Sequence, residues 1–239
     1  MKIKAILFDL DGTLLPMDLD VFVKSYMKRL AAHLAPHGYE PERLSGAIWQ
    51  GTAAMVKNCG DRTNEEVFWD FFAQALGERV REDAPLLEDF YRNEFCHVRE
   101  SCEPTHRAAE ILRLVRELGL RAVLATNPIF PAVATEQRIA WAGLRLEDFE
   151  HITTYENSRR AKPNPDYYRD ILAHIGLSPE ECLMVGNDVG EDMIARELGM
   201  QVFLLTDCLI NKVGADVSQY PHGGFDELAE HIRSFRELV

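Results

Sequence analysis

Hydrophobic positions along the chain follow two rhythms. Five short, nearly continuous apolar runs rich in β-branched residues or leucine, at 3–10, 121–126, 151–155, 182–185 and 201–206, predict strands. Their lack of polar alternation is that of parallel strands covered on both faces. Between the later runs the spacing becomes helical. Residues 105–118 carry Ile111, Leu112, Val115 and Leu118 and stop at Gly119. Residues 165–175 open with a proline in the first turn and stop at Gly176, and residues 188–198 form a further helix closed by Gly199. Ser178-Pro179-Glu180-Glu181 is a capping-box pattern that predicts a single turn before the fourth strand. This alternation predicts an α/β fold with a doubly wound, Rossmann-like parallel sheet.

The first strand breaks the rhythm, because no second strand follows until Arg121. The intervening chain reads as helices at 20–34, 41–56, from the capping box Thr63-Asn64-Glu65-Glu66 onward, and at 86–96. The third of these is unusually aromatic, with Phe68, Trp69, Phe71 and Phe72, which are expected to pack within a helical bundle. A helical block of about 80 residues is too large for a loop. It predicts a second, smaller domain at 17–97 inserted into an α/β core made of 1–16 and 98–239. Residues 207–224, with Pro221 and paired glycines, read as loop and closing structure, and His222 as a surface residue.

Composition narrows the classes of partner. In 239 residues, 26 basic side chains face 39 acidic ones, a net charge of −13. No basic face is expected, which excludes nucleic acid and an anionic membrane surface as partners. The same charge means that an anionic substrate needs a local source of positive charge. The five cysteines, Cys59, Cys96, Cys102, Cys182 and Cys208, form no close CxxC pair and are odd in number. Free thiols in a reducing compartment are expected, and a zinc site is not. No apolar stretch approaches the roughly 18 residues of a membrane span, and Asp9 comes too early for a signal-peptide apolar region. A soluble cytoplasmic protein, monomer or homodimer, is expected.

The sharpest chemical feature is Phe8-Asp9-Leu10-Asp11-Gly12-Thr13, where the first strand ends. In open α/β sheets, ligands bind beyond the carboxyl ends of the strands. Asp9 follows the apolar run directly, where an unpaired carboxylate is costly, so a metal or a cation is expected beside it. This segment resembles the first motif, DxDGT, of the haloacid dehalogenase superfamily. Three further segments are similar to that family's other motifs, in order. Leu124-Ala125-Thr126-Asn127 ends the second strand, Arg160-Ala161-Lys162-Pro163 precedes a helix, and Val185-Gly186-Asn187-Asp188-Val189-Gly190-Glu191-Asp192 follows the fourth strand. The helical insertion after the first motif resembles the family's α-helical cap at its first insertion point.

The resemblance implies a Mg²⁺-dependent phosphatase that hydrolyses a small phosphorylated metabolite through an aspartyl-phosphate. Asp9 would be the nucleophile, Asp11 the general acid and base, and Lys162 the charge compensator. Thr126, with Lys162 and the amides around Asn127 and Asp11, would hold the phosphoryl oxygens. The Asp9 carboxylate, the Asp11 carbonyl and Asp188 would be the metal ligands. Asn187 takes the place of an aspartate found in many members, so Asp188 is the first choice of ligand. Asp192, four residues on and read as sharing a helix face with it, would be a supporting acid whose role is interchangeable with that of Asp188. Arg159 and Arg160 read as solvated loop charges. A phosphomutase or phosphonate-cleaving relative uses the same core. A 2-haloacid dehalogenase would not need Asp11, and a non-catalytic binding protein would not need Asp9, Asp11, Lys162 and Asp188 together.

Overall fold

The structure, a computed structural model, describes residues 2–235. Six parallel strands are ordered β3-β2-β1-β4-β5-β6. They are β1 (Ala5–Phe8), β2 (Arg121–Leu124), β3 (His151–Ile152), β4 (Cys182–Gly186), β5 (Gln201–Leu205) and β6 (His222–Gly223). The five expected strands are all present, four of them shorter than their apolar runs and β4 one residue longer. The sixth pairs Leu204 with His222 and Leu205 with Gly223 inside the segment expected to be loop. Only two residues long, it carries no apolar run to announce it.

Alternate strand residues face opposite sides, as the period of two requires. Ile6, Phe8, Leu124, Val185, Phe203 and Leu205 form one apolar layer. Ala5, Leu7, Val123, Ala125, Met184, Val202 and Leu204 form the other. Between β1 and β2 stand α1 (Leu19–Leu34), α2 (Pro41–Val56), α3 (Asn64–Leu76), α4 (Arg79–Glu82), α5 (Ala84–Asp89) and α6 (Arg107–Glu117). Then come α7 (Ala132–Trp141), α8 (Pro165–Ile175) and α9 (Phe225–Ser234). Helix α8 covers the second layer through Tyr167, Tyr168, Ile171 and Leu172. Helices α6, α7 and α9 cover the first, which runs on without a break into the helical block through Phe22, Leu30, Phe72, Phe90 and Phe95. No described helix is long and apolar enough to cross a membrane, and all five cysteines are free.

Two expected helices are not regular. The stretch expected at 86–96 is α5, then a π-helical turn over Phe90–Glu94, then a 3₁₀ segment over Phe95–Ser101. Phe90 and Phe95 are both fully buried. Residues five apart diverge by about 140° on an α-helix. The wider turn, closed by Phe95 N–H to Phe90 C=O, brings both rings into one core. The stretch expected at 188–198 is a turn followed by a 3₁₀ segment over Met193–Leu198. There Asp188 accepts from the amides of Gly190 and Glu191, and Asp192 accepts from the amide of Asp188. Side chains take the amides that a helix would use.

Helices α7 and α9 were not expected. In α7 the apolar stripe is interrupted by Thr135 and Arg138, both buried. Of the aromatic face of α3, only Phe72 packs fully as expected, while Phe71 is 44% exposed and Phe68 and Trp69 are half-buried.

Candidate active site

Strand register decides which side chains meet. Phe8 pairs with both Leu124 and Val185, so Asp9, Ala125 and Gly186 come level at the carboxyl end of the sheet. The Asp9 amide donates to Val185 C=O (2.9 Å), and the Ala125 amide donates to Phe8 C=O (2.7 Å). The three central strands thus deliver the first, second and fourth motifs side by side.

Asp9 is 7% exposed, and both its oxygens are engaged. Lys162 Nζ donates to Oδ1 (2.9 Å), and Thr13 Oγ1 donates to Oδ2 (3.0 Å). Lys162 lies in the loop before α8, whose first turn is capped by Asn164. It is 1% exposed, and its ammonium also meets Asp192 Oδ1 at 2.6 Å. Burial pushes the Lys162 ammonium down, but the carboxylates of Asp192 and Asp9 outweigh it and hold its pKa well above the usual value. One cation therefore serves two carboxylates. Burial, with Asp9 adding to it against the pull of Lys162, raises the Asp192 carboxyl above its usual range.

Two glycines make this packing possible. Gly12 has φ +82°, and a Cβ there would meet Asn187 Nδ2 at 2.3 Å. Asn187 Oδ1 lies 3.1 Å from Thr13 Oγ1, sharing its one hydroxyl proton with Asp9, and Nδ2 donates to Cys208 C=O (2.6 Å), so Asn187 braces the turn after Asp9. At Gly186 a Cβ would lie 2.1 Å from Asp192 Oδ2. Gly186→Ala is expected to push Asp192 off Lys162 and destabilise the fold by about 1–3 kcal/mol through overpacking. A lowered urea midpoint at unchanged m-value would show this.

Asp188 is half-buried at the turn and, among the described residues, has one oxygen bound to amides and no cation partner. The sequence suggested that Asp188 and Asp192 share a helix face. Instead they flank a single turn, closed by the Asp192 amide on Asp188 C=O (2.9 Å), and face different partners. Thr126 is buried at the end of β2, its carbonyl accepting from Thr153 Oγ1 (2.7 Å) and the Tyr167 hydroxyl (2.8 Å). Asn127 donates to Glu191 Oε2 (3.0 Å), and its own Oδ1 is buried without a partner.

Three participants are not evident in the sequence. Arg138, fully buried on α7, pairs with Asp11 Oδ2 while its guanidinium lies 4.5 Å from the centre of the Phe130 ring. Asp11 Oδ1 is buried and unpartnered. Burial raises the Asp11 pKa, Arg138 pulls it back, and Asp9 adds to the rise. The signal for Arg138 was an arginine in line with the apolar positions Ala134 and Trp141. Glu191 is pushed up to about 7, by burial first, against Lys162 and with help from Asp192, Asp188 and Asp9. Arg160, expected to be solvated, pairs with Asp170 (2.7 Å) and reaches Cys59 C=O (3.3 Å), linking the loop before α8 to the chain after α2.

Among the described residues no group of three or more His, Cys, Asp or Glu side chains is arranged to hold a metal. What the strand ends supply is two carboxylates, Asp9 and Asp188, and backbone carbonyls. That hard, incomplete oxygen set fits Mg²⁺, which keeps waters and binds through one or two carboxylates.

The relatives agree with this architecture. The chain is 24% identical over 244 residues to N-acetylmuramic acid 6-phosphate phosphatase of Pseudomonas aeruginosa, covering 100% of this chain and 96% of that protein. It is 26% identical over 205 residues to phosphoglycolate phosphatase of Nitrosospira multiformis, covering 85% and 83%. The fold superposes on YfnB of Bacillus subtilis, a structure bound to magnesium, with TM-score 0.60 at 18% identity, covering 98% and 100%. The family model of haloacid dehalogenase-like hydrolases matches residues 3–199. With that match spanning the strands that carry Asp9, Thr126 and Asp188 and the loop that carries Lys162, the chain belongs to the haloacid dehalogenase-like hydrolases.

Proposed function

We propose that this protein is a Mg²⁺-dependent phosphatase acting on a small phosphorylated metabolite through an aspartyl-phosphate on Asp9. The observation that carries the reading is the buried Asp9–Lys162–Asp192 array at the end of the central strand. A carboxylate placed there and neutralised by one fixed ammonium is a nucleophile beside its own charge compensation. The phosphatase names of the relatives support it.

In the first step an Asp9 oxygen attacks phosphorus and the ester P–O bond breaks. Asp11 gives its proton to the departing alkoxide. In the second step water attacks phosphorus, Asp11 takes a proton from it, and the Asp9–phosphorus bond breaks to release phosphate. Burial and the neighbouring Asp9 favour a protonated Asp11 for the first step, and Arg138 keeps the ionised form accessible for the second. Lys162 balances charge on the transferring group, Asp192 fixes Lys162, and Asn187 fixes the Gly12–Thr13 turn. Thr126 and the amides around Asn127 receive the phosphoryl oxygens. The Asp9 carboxylate, the Asp11 carbonyl and Asp188 would hold Mg²⁺, which supplies Lewis-acid charge neutralisation at the phosphoryl oxygens. Residues 17–97 act as a cap over the core at 1–16 and 98–239, closing to exclude water.

Hydrolysis of p-nitrophenyl phosphate is the test. Activity is expected with Mg²⁺, to fall to background with excess EDTA, and to return when Mg²⁺ is restored. Activity indifferent to EDTA would contradict the metal assignment, and inactivity on a broad panel of phosphate esters would contradict the phosphatase reading.

A further inference from the structure

A cavity of about 550 Å³ lies between the helical block and the loops leaving β2 and β3. Its walls are aromatic: Trp49 of α2, Phe68 and Trp69 of α3, Tyr91, Phe130 and Tyr155. The segment Ile129–Pro131 and the first residues of α7, Ala132 and Val133, also line it, and this stretch begins two residues after Asn127. Phe130 lines the cavity and also lies against Arg138, the guanidinium that holds Asp11. Phe130 is thus shared between the wall of the cavity and the surroundings of the Arg138–Asp11 pair.

Its charge is one-sided. Glu65, Glu88, Glu136 and Glu156 line it, against the single cation Arg92. Arg92 is already paired with Glu88 at 2.7 Å. Glu156 spends its oxygens on the amide of Ala132 (2.8 and 3.1 Å), and among the described residues Glu65, Glu136 and Glu156 have no cationic partner. Burial, followed by the charge of Glu156, holds the Glu65 carboxyl above its usual range. A second anionic group on a ligand would meet repulsion here, whereas an ammonium would find two neighbouring carboxylates.

We propose that this cavity is the leaving-group pocket, and that it selects phosphate monoesters of an aromatic alcohol carrying an amine over those whose leaving group bears a second negative charge. The aromatic walls match a ring, the carboxylates match the ammonium, and the volume falls within the range of small-molecule sites, roughly 300–1,000 Å³. The pocket assignment rests on the phosphatase reading, but the ligand chemistry does not require turnover.

Two probes of similar size and opposite charge separate these points: tyramine and 4-hydroxyphenylacetate. Two of the three tryptophans line the cavity, so intrinsic fluorescence reports its occupancy. Tyramine is expected to bind about tenfold more tightly than 4-hydroxyphenylacetate, a difference of about 1.4 kcal/mol. Glu65→Gln should bring the two affinities together, and Trp69→Phe should reduce the signal without unfolding the chain. In turnover, the phosphate monoester of tyramine should exceed that of 4-hydroxyphenylacetate in kcat/KM by about the same factor. Equal binding, tighter binding of the carboxylate, or no binding of either probe would overturn the proposal whatever the enzyme hydrolyses. Tighter binding of tyramine with no ester hydrolysed would uphold the cavity's ligand chemistry and remove its role as a leaving-group pocket.

Discussion

Asp9→Asn is expected to lower kcat for p-nitrophenyl phosphate by about 10⁴-fold or more, the scale on which removal of a nucleophile is felt. The substitution is close to isosteric, so the geometry around it should persist. An asparagine still offers one oxygen and one nitrogen, and Thr13 Oγ1 is able to pair with either. Lys162 keeps Asp192 at 2.6 Å, so no unpaired ammonium is left in the core. What disappears is an anionic oxygen able to attack phosphorus. The expected signature is therefore a collapse of kcat with a nearly unchanged thermal midpoint. A variant with substantial residual turnover would remove Asp9 from the nucleophile's role.

Arg138→Met is expected to cost about 3–5 kcal/mol of stability, the range for deleting one member of a buried ion pair. In a chain of this size that corresponds to a fall in Tm of about 6–20 °C. The reason lies in what remains. Methionine fills the apolar space beside Phe130, but Asp11 is left with one oxygen already unpartnered and the other newly so. The contacts of Arg138 with Ala134 C=O (3.3 Å) and Thr135 Oγ1 (3.2 Å) go as well. Combining Arg138→Met with Asp11→Asn should recover part of the loss, because the stranded charge is then absent. Urea unfolding of the two single variants and the double variant measures the coupling. Strict additivity would mean that the Arg138–Asp11 pair contributes nothing beyond its separate packing.

Much of this architecture was legible because its elements announce themselves locally. Strands β1 to β5 lie in apolar runs, and α8 carries its proline, its apolar stripe and its terminal glycine in sequence. The candidate site was legible for the same reason: Asp9, Thr126 and Asp188 follow β1, β2 and β4, which are neighbours in the sheet. What escaped notice depends on partners distant in sequence. Arg138 looks like an interruption of an apolar stripe until Asp11, 127 residues away, is placed against it. The departure from α-helix at Phe90 follows from a core that must take Phe90 and Phe95 together. The turn after Asn187 follows from carboxylates that take backbone amides, a competition that hydrophobic spacing does not register. Gly186 read only as the end of a strand, yet the room it leaves is what admits Asp192 to Lys162.

The covalent role proposed for Asp9 is open to direct inspection. An enzyme turning over p-nitrophenyl phosphate with Mg²⁺ can be stopped with acid and treated with borohydride, which reduces an acyl phosphate to an alcohol. Peptide mass spectrometry should then find residue 9 converted from aspartate to homoserine, only when substrate was present and not at Asp11, Asp188 or Asp192. Unmodified Asp9 in an enzyme that is hydrolysing the ester, or reduction at another carboxylate, would contradict the mechanism.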